Sequence, residues 1–261
     1  MAANFHLVQS LIKSLAIIEV LSEIIDGMGV TDISERIGLN KSTVHRILTT
    51  LVHEGFVEQD QVKGRYHMSP KIFELARRIL SNIRPAKVIA PHLERLAKAT
   101  GESARFIIID DTHSRLIVSD EVLTSKPIKV RSHLGESLSL SESAAGKMFL
   151  ACLSDKEIKE IMDSIGRKAV LPDEKASFSS LHRDLTVIRE KGYAYETHKY
   201  EDEMICNIAA PIRDEEGTII AVIDVFAPAF RCPKELCDTI GNQVKETAIA
   251  ISRELGYLPQ E

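Results

Sequence analysis

The chain has 261 residues and a net charge of −5, with 44% hydrophobic and 27% charged residues. That length predicts about two domains with ordinary globular cores, and the acidic balance excludes a generally basic coat, so any nucleic-acid contact must come from a local patch. No apolar run reaches the length of a membrane span, no basic-then-apolar leader is visible, and Cys152, Cys206, Cys232 and Cys237 show neither a CxxC pair nor zinc-finger spacing. Free, mostly buried thiols in a reducing cytoplasm are expected. With no Trp and few aromatics, the core should be aliphatic and lack a base-stacking platform.

The first predicted helix runs from about Val8 to Ile25, with Leu11, Leu15, Ile18 and Leu21 on its packing side. Thr31 is expected to cap a short helix, Asp32 to Ile37, that stops at Gly38. Asn40 caps the next helix, which ends at Gly55. Val44, Ile47, Leu48, Leu51 and Val52 make one apolar stripe on it. Its other face carries Lys41, Ser42, Thr43, His45, Arg46, Thr49 and His53, with no acidic residue between Asn40 and His53. Two helices joined by a tight glycine turn form a helix-turn-helix pattern. The cations suit phosphates or guanine, and the short hydroxyls reach base edges without blocking entry to a major groove. Phe56-Val57-Glu58 and Arg65-Tyr66-His67-Met68 then flank a polar turn, a wing with Lys63 and Arg65 near its tip. Any one of these helices could simply be core with a solvated face; the ordered set makes a winged helix-turn-helix. Residues 1–70 hold six Lys/Arg (Lys13, Arg36, Lys41, Arg46, Lys63, Arg65) against eight Asp/Glu (Glu19, Glu23, Asp26, Asp32, Glu35, Glu54, Glu58, Asp60). One copy should therefore bind DNA weakly, and a dimer on a palindrome would double the basic patch.

Pro70 opens a helix, Lys71 to about Ile83, read as a linker over 71–84. Another helix starts near Pro85 and ends at Thr100. From Ser103 the pattern turns to short apolar runs: strands at Arg105 to Ile109, Leu116 to Val118 and Ile128 to Arg131. Helices follow at Ser143 to Cys152, Asp155 to Ile165 and Ser179 to Lys191. Strands Ile205 to Arg213 and Thr218 to Phe226 pair across Asp214-Glu215-Glu216-Gly217, and a helix from Pro233 to Leu255 follows. The fold class is α+β, with segments 1–70, 71–84 and 85–261. Small residues at the start of the helix after Ser141-Glu142 leave backbone N–H groups that suit a carboxylate; on the residues alone, tight helix packing is the favoured explanation. Asp224 amid Val222, Ile223, Val225 and Phe226 needs a partner, because buried charge is costly alone.

Gly38-Leu39-Asn40-Lys41-Ser42-Thr43-Val44-His45-Arg46-Ile47-Leu48 with Gly55-Phe56-Val57 resembles the recognition segment of the IclR family of bacterial transcriptional regulators. Gly135 with Ser143-Ala144-Ala145-Gly146-Lys147, then Gly192-Tyr193-Ala194 and Ile208-Ala209-Ala210-Pro211, resemble its later signatures in the same order. Lys71-Ile72-Phe73-Glu74-Leu75 is most similar to regulators of sugar-acid catabolism, such as the 2-keto-3-deoxygluconate type. The resemblance implies a GAF-like C-terminal sensor with an antiparallel sheet and a small-molecule cavity. It implies effector contacts at Ala144, Ala145, Glu196, Asn207, Asp224 and Phe226. The family often has Cys at position 207, Gly at 204, a small hydroxyl at 224 and His at 141; Asn207, Met204, Asp224 and Ser141 depart from it. These changes make the pocket more polar and point to a sugar acid or keto acid, with Glu196 and Asp224 accepting its hydroxyls. The function implied is a repressor of a catabolic operon. It would bind a double-stranded DNA operator as a homodimer or homotetramer, through Lys41, Ser42, Thr43, His45, Arg46, Lys63 and Arg65, with no cofactor.

Two other readings compete. Glu196, His198, Cys206 and Asp224 are ligand types that zinc accepts, although neighbours on a strand point to opposite faces. An enzyme would draw on His113, His133, His182 or His198, but no nucleophile elbow, HExxH, P-loop or dinucleotide fingerprint occurs.

Overall fold

The computed structural model describes residues 7–24, 26–60, 62–75, 84–110, 113, 115–166, 178–200 and 203–258. The chain divides into two compact units, Met1–Ile83 and Arg84–Glu261. In the first unit, helices α1 (Gln9–Ser22), α2 (Val30–Ile37) and α3 (Lys41–His53) precede strands β1 (Val57–Gln59) and β2 (Tyr66–Met68). Ile17, Leu21, Ile33, Val44, Leu48, Leu51, Val57 and Tyr66 form its core. The buried side of α1 is therefore Ile17 and Leu21, with Ile18 partly buried. Leu11 and Leu15, expected to pack inward, are exposed together with Leu7, Val8 and Ile12. The C-terminal half of the expected stripe, Ile18 and Leu21, packs on the core, whereas its N-terminal half is exposed; α1 is apolar on more than one side. Gly29, not Thr31, occupies the N-cap of α2, and Thr31 lies in its first turn. Gly38 ends α2 in the left-handed region at φ 66°, where a residue without Cβ is unstrained.

The wing has a third, one-residue strand that the sequence pattern does not reveal. Met28 exchanges backbone hydrogen bonds with Tyr66, both at 2.9 Å. Gly27 enables it: a Cβ there would sit 2.7 Å from the Tyr66 carbonyl oxygen. Residues 71–75 are helical; the rest of the expected linker helix lies outside the described residues.

The second unit opens with α4 (Arg84–Thr100). It continues through β3 (Ser103–Ile109), β4 (Leu116–Val122), β5 (Ser137–Leu138), α5 (Ala144–Ala151), α6 (Asp155–Gly166) and α7 (Phe178–Lys191). Strands β6 (Ala194–Tyr200), β7 (Glu203–Arg213) and β8 (Ile219–Pro228) lead to α8 (Lys234–Glu254). The six strands form an antiparallel sheet in the order β5-β4-β3-β8-β7-β6. Ile128 to Arg131, expected as a strand, is irregular; β4 pairs instead with Ser137–Leu138.

The sheet is covered on both faces. Phe106, Ile208, Ile223 and Val225 pack with Ile89 and Leu93 of α4 and with Val244 and Ile251 of α8. On the other face, Ile107, Ala194, Ala209 and Val222 pack with α5 and with Leu181, Leu185 and Ile188 of α7. Burial on both sides explains why β7 and β8 read as unbroken apolar runs rather than as alternating ones. Their hairpin is set by Asp214, whose Oδ1 accepts from the backbone N–H groups of Glu216 (3.0 Å) and Thr218 (2.9 Å). The α5, α6 and α7 layer covers only part of its face, and the uncovered end of β3, β7 and β8 becomes the floor of a cavity.

Candidate functional site

In the first unit, the Asn40 side chain accepts the Thr43 backbone N–H at 2.8 Å and so starts α3. The Ser42 hydroxyl donates to the same Asn40 oxygen at 2.9 Å, which aims it along the cap. Opposite the buried stripe, Lys41, Ser42, His45, Arg46 and Thr49 are exposed, and Thr43 is half-buried. Val52, expected within the apolar stripe, is 37% exposed. A surface groove between α1 and α3 is lined by Lys13, Arg46 and the hydroxyl residues Ser10, Ser14, Thr43 and Thr50. Lys13 carries no local sequence signal of this placement, because nothing in its neighbours shows that α1 meets α3 at that point.

At the wing tip the Asp60 carboxylate accepts the N–H groups of Val62 (2.8 Å) and Lys63 (3.0 Å). Those bonds hold its pKa below the ordinary value. One of the eight acids of residues 1–70 is thus committed to shaping the turn that exposes Lys63. Arg65 is exposed, and its Nη1 donates to the Gly27 carbonyl at 3.4 Å.

In the second unit, a cavity of about 210 Å³ opens beside the start of α5. Its floor is Arg105, Asn207 and Asp224. Its walls are the segment before α5, from His133 through Ser139 to Ala144, and His198 and Lys199 at the end of β6. Arg105, absent from the expected site, is its centre. It lies directly opposite Asp224 in the β3–β8 register. Its Nε donates to Asp224 Oδ1 at 2.9 Å and its Nη2 to Oδ2 at 2.5 Å. Nη2 also donates to Asn207 Oδ1 at 2.8 Å. The guanidinium lies 4.3 Å from the Phe226 ring centroid, and His133 meets the same ring edge-on at 5.6 Å. Arg105 is 4% exposed and Asp224 0%. A two-pronged pair of this kind satisfies both groups in a low-dielectric site. The Asp224 carboxylate therefore already has a cation, instead of waiting for ligand hydroxyls. A lone Arg in the run Ala104-Arg105-Phe106-Ile107 carried the same signal as Asp224: each buried charge demanded a partner, and each was the other's.

Of the expected effector residues, Ala144, Asn207 and Asp224 line the cavity, whereas Ala145, Glu196 and Phe226 do not. Glu196 faces the same side as Asn207 but is taken by Lys147, whose Nζ lies 2.5 Å from Glu196 Oε1 and 2.8 Å from Asp184 Oδ2. Burial works against the Lys147 ammonium, but its bonds to Asp184 and Glu196 outweigh it and raise its pKa. Phe226 lies under Arg105 as a support. Ser143 caps α5, accepting the Gly146 N–H at 2.9 Å. That leaves the first N–H groups, those of Ala144 and Ala145, as the helix's unpaired donors. Gly146 is required: a Cβ would sit 2.3 Å from the Ser139 carbonyl oxygen.

The proposed metal set does not assemble. Cys206 lies on the opposite face, in the core with Cys232 and Cys237, while Glu196 and Asp224 pair with cations. Among the described residues, no group of three or more His, Cys, Asp or Glu side chains is placed to hold a metal. Among them, too, no helix is long and apolar enough to cross a membrane.

Residues 10–61 match the IclR helix-turn-helix domain, and residues 77–253 match the bacterial transcriptional regulator IclR C-terminal family. The chain belongs to the IclR family. It is 32% identical over 252 residues to the DNA-binding transcriptional repressor YiaJ of Escherichia coli K12, covering 95% of this chain and 88% of that one. It is 27% identical over 250 residues to the transcriptional regulator KdgR of E. coli K12, covering 96% and 94%. The same 27% relates it to the repressor IclR of E. coli K12, so identity does not single out the KdgR branch. The crystal structure of IclR from Thermotoga maritima superposes with a TM-score of 0.74 at 27% identity, covering 95% of this chain and 99% of that one. These IclR-family relatives are named as regulators and repressors, not as enzymes. This chain is accordingly a DNA-binding transcriptional regulator.

Proposed function

We propose that this regulator represses a catabolic operon and releases its operator when a small carboxylic acid, a sugar acid or keto acid, enters the Arg105 cavity. The observation that carries the DNA half is the exposed, acid-free face of a capped α3. Arg46 reads guanine or anchors a phosphate. Lys41, Ser42, Thr43 and His45 share base and backbone contacts, Lys63 and Arg65 hold the wing to the backbone, and Lys13 joins them from α1. The exposed apolar side of α1, with Leu7, Val8, Leu11, Ile12 and Leu15, supports a homodimer. Two winged units would then meet half-sites about one DNA turn apart. A homotetramer is a pair of such dimers.

On the effector side, the N–H group of Ala144 receives a carboxylate, and Asn207 and Arg105 bound its other end; Ala145 lies outside the cavity lining. Glu196 leaves the set, because Lys147 holds it. Ligand binding biases the placement of the winged units through segment 71–84.

The test is recovery and sequencing of genomic fragments bound by the purified protein, with Arg46→Ala as control. A few enriched palindromic sites, lost in the variant, are expected, and the adjacent genes name the operon. Equal recovery by the variant would remove α3 from the interface.

A further inference from the structure

Arg105 imposes a hydrogen-bond polarity that runs across the cavity floor. A guanidinium has donors only. Its Nη2 donates to Asn207 Oδ1 at 2.8 Å, which settles the orientation of that amide. The Asn207 nitrogen, Nδ2, then lies 3.3 Å from His198 Nδ1. An amide nitrogen also has donors only, so Nδ1 must accept and the imidazole proton sits on Nε2. His198 lines the cavity. Burial and then the positive Arg105 lower its pKa, against the opposing charges of Glu196, Glu142 and Asp224.

We infer that His198 is a specificity-determining residue, fixed by Arg105 through Asn207 as a neutral Nε2–H donor, and that the cavity selects a hydroxylated monocarboxylate over ligands of higher charge. The second half follows from the fixed charges. Among the described lining residues, Arg105 and Lys199 face Glu136, Glu142 and Asp224. With neutral histidines these lining charges sum to one negative charge, and Arg131, which pairs with Glu136 at 2.8 Å, brings the balance to zero. A monoanion can be held there by directed N–H donors from His198 and Ala144, while its hydroxyls donate to the acidic wall. A dicarboxylate or a phosphorylated sugar acid brings further negative charge that no free cation offsets, so it is disfavoured. The ligand class rests on the effector reading of the cavity; the tautomer does not.

Two measurements on the full chain separate them. Long-range 1H–15N NMR, with His198→Gln for assignment, reads the tautomer without ligand. Nε2–H near neutral pH is expected, and Asn207→Asp should raise the His198 pKa by giving Nδ1–H an acceptor. An Nδ1–H ring or an imidazolium in the wild type would overturn the relay. Calorimetry then uses gluconate, glucarate and 6-phosphogluconate as probes. Gluconate is expected to bind most tightly, with affinity kept within about threefold in His198→Gln, which retains a neutral N–H donor, and reduced at least about tenfold in His198→Phe. Preference for glucarate or 6-phosphogluconate overturns the ligand class. Binding by none of the three, with the tautomer as expected, overturns the effector reading and the ligand class together and leaves the relay standing.

Discussion

Helices α3 and α5 begin alike and end in opposite surroundings. A short polar side chain caps each: Asn40 accepts the Thr43 N–H at 2.8 Å, and Ser143 accepts the Gly146 N–H at 2.9 Å. Beyond the cap, α3 exposes Lys41, Ser42, His45, Arg46 and Thr49. Helix α5 buries every residue except the half-buried Lys147. The first acts through the side chains it projects. The second acts through how closely other groups approach its backbone. Capping is a local transaction between neighbours in sequence; what a helix meets afterwards is decided by the layers around it.

The largest expected effect tests the electrostatic side of that contrast. Asp224→Ala beneath the α5 layer strands Arg105 in a buried site and should cost about 3–5 kcal/mol in urea unfolding. Combining it with Arg105→Met should recover much of the loss. Glu23→Ala removes the partner of Arg36 in an ion pair whose side chains are both well exposed, and should cost no more than about 1 kcal/mol. Equal losses would mean that the Arg105–Asp224 pair is wetter than its burial implies.

Packing gives the next effect. Gly146→Ala drives a Cβ into the Ser139 and Leu140 backbone and should destabilise the second unit by about 3 kcal/mol. Thr49→Ala, on the open face of α3, should stay within about 0.5 kcal/mol. The caps come third. Asn40→Ala and Ser143→Ala should each cost about 1 kcal/mol. Ser143→Ala should cost the more of the two, because its hydroxyl also donates to the Ser139 carbonyl at 2.5 Å.

The smallest effect is a pH dependence of the second unit. Burial, and then the charge of Arg105, hold His133 and His198 below the usual histidine pKa of 6.5. As the pH falls, the unfolded chain takes up these protons first. The stabilisation is therefore complete above pH 6.5 and is lost as pH drops through that value toward the folded pKa values. Urea midpoints should decline between pH 7.5 and 5.5, and His133→Gln should flatten the curve. A midpoint that rises on acidification would reverse the assignment.

The winged helix-turn-helix was legible because its signals are local. Gly38 and Asn40 punctuate the chain, and the stripe of Val44, Leu48 and Leu51 repeats at helical spacing. The β7–β8 hairpin was legible for the same reason, through Asp214 and Gly217. The inward side of α1 was legible only at Ile18 and Leu21, because its apolar residues satisfy more than one helical face and only packing with Tyr66 and Leu48 selects Ile17 and leaves Leu11 and Leu15 exposed. Strand Ser137–Leu138 was missed because two polar-flanked residues carry no period.

The amino-acid order by itself determined the capped helices, the acid-free face of α3, the strands that bury both sides and the family signatures. It also required that Asp224 have a partner, since a buried carboxylate alone is too costly. Only the tertiary structure decided who the partners are. Arg105 lies 119 positions from Asp224 in the chain and directly across from it in the sheet. Lys147 takes Glu196 from a helix that crosses its strand. Such pairings depend on strand order and on the register between β3 and β8, and these are set by the packing of two layers of helices on the sheet rather than by any residue's neighbours.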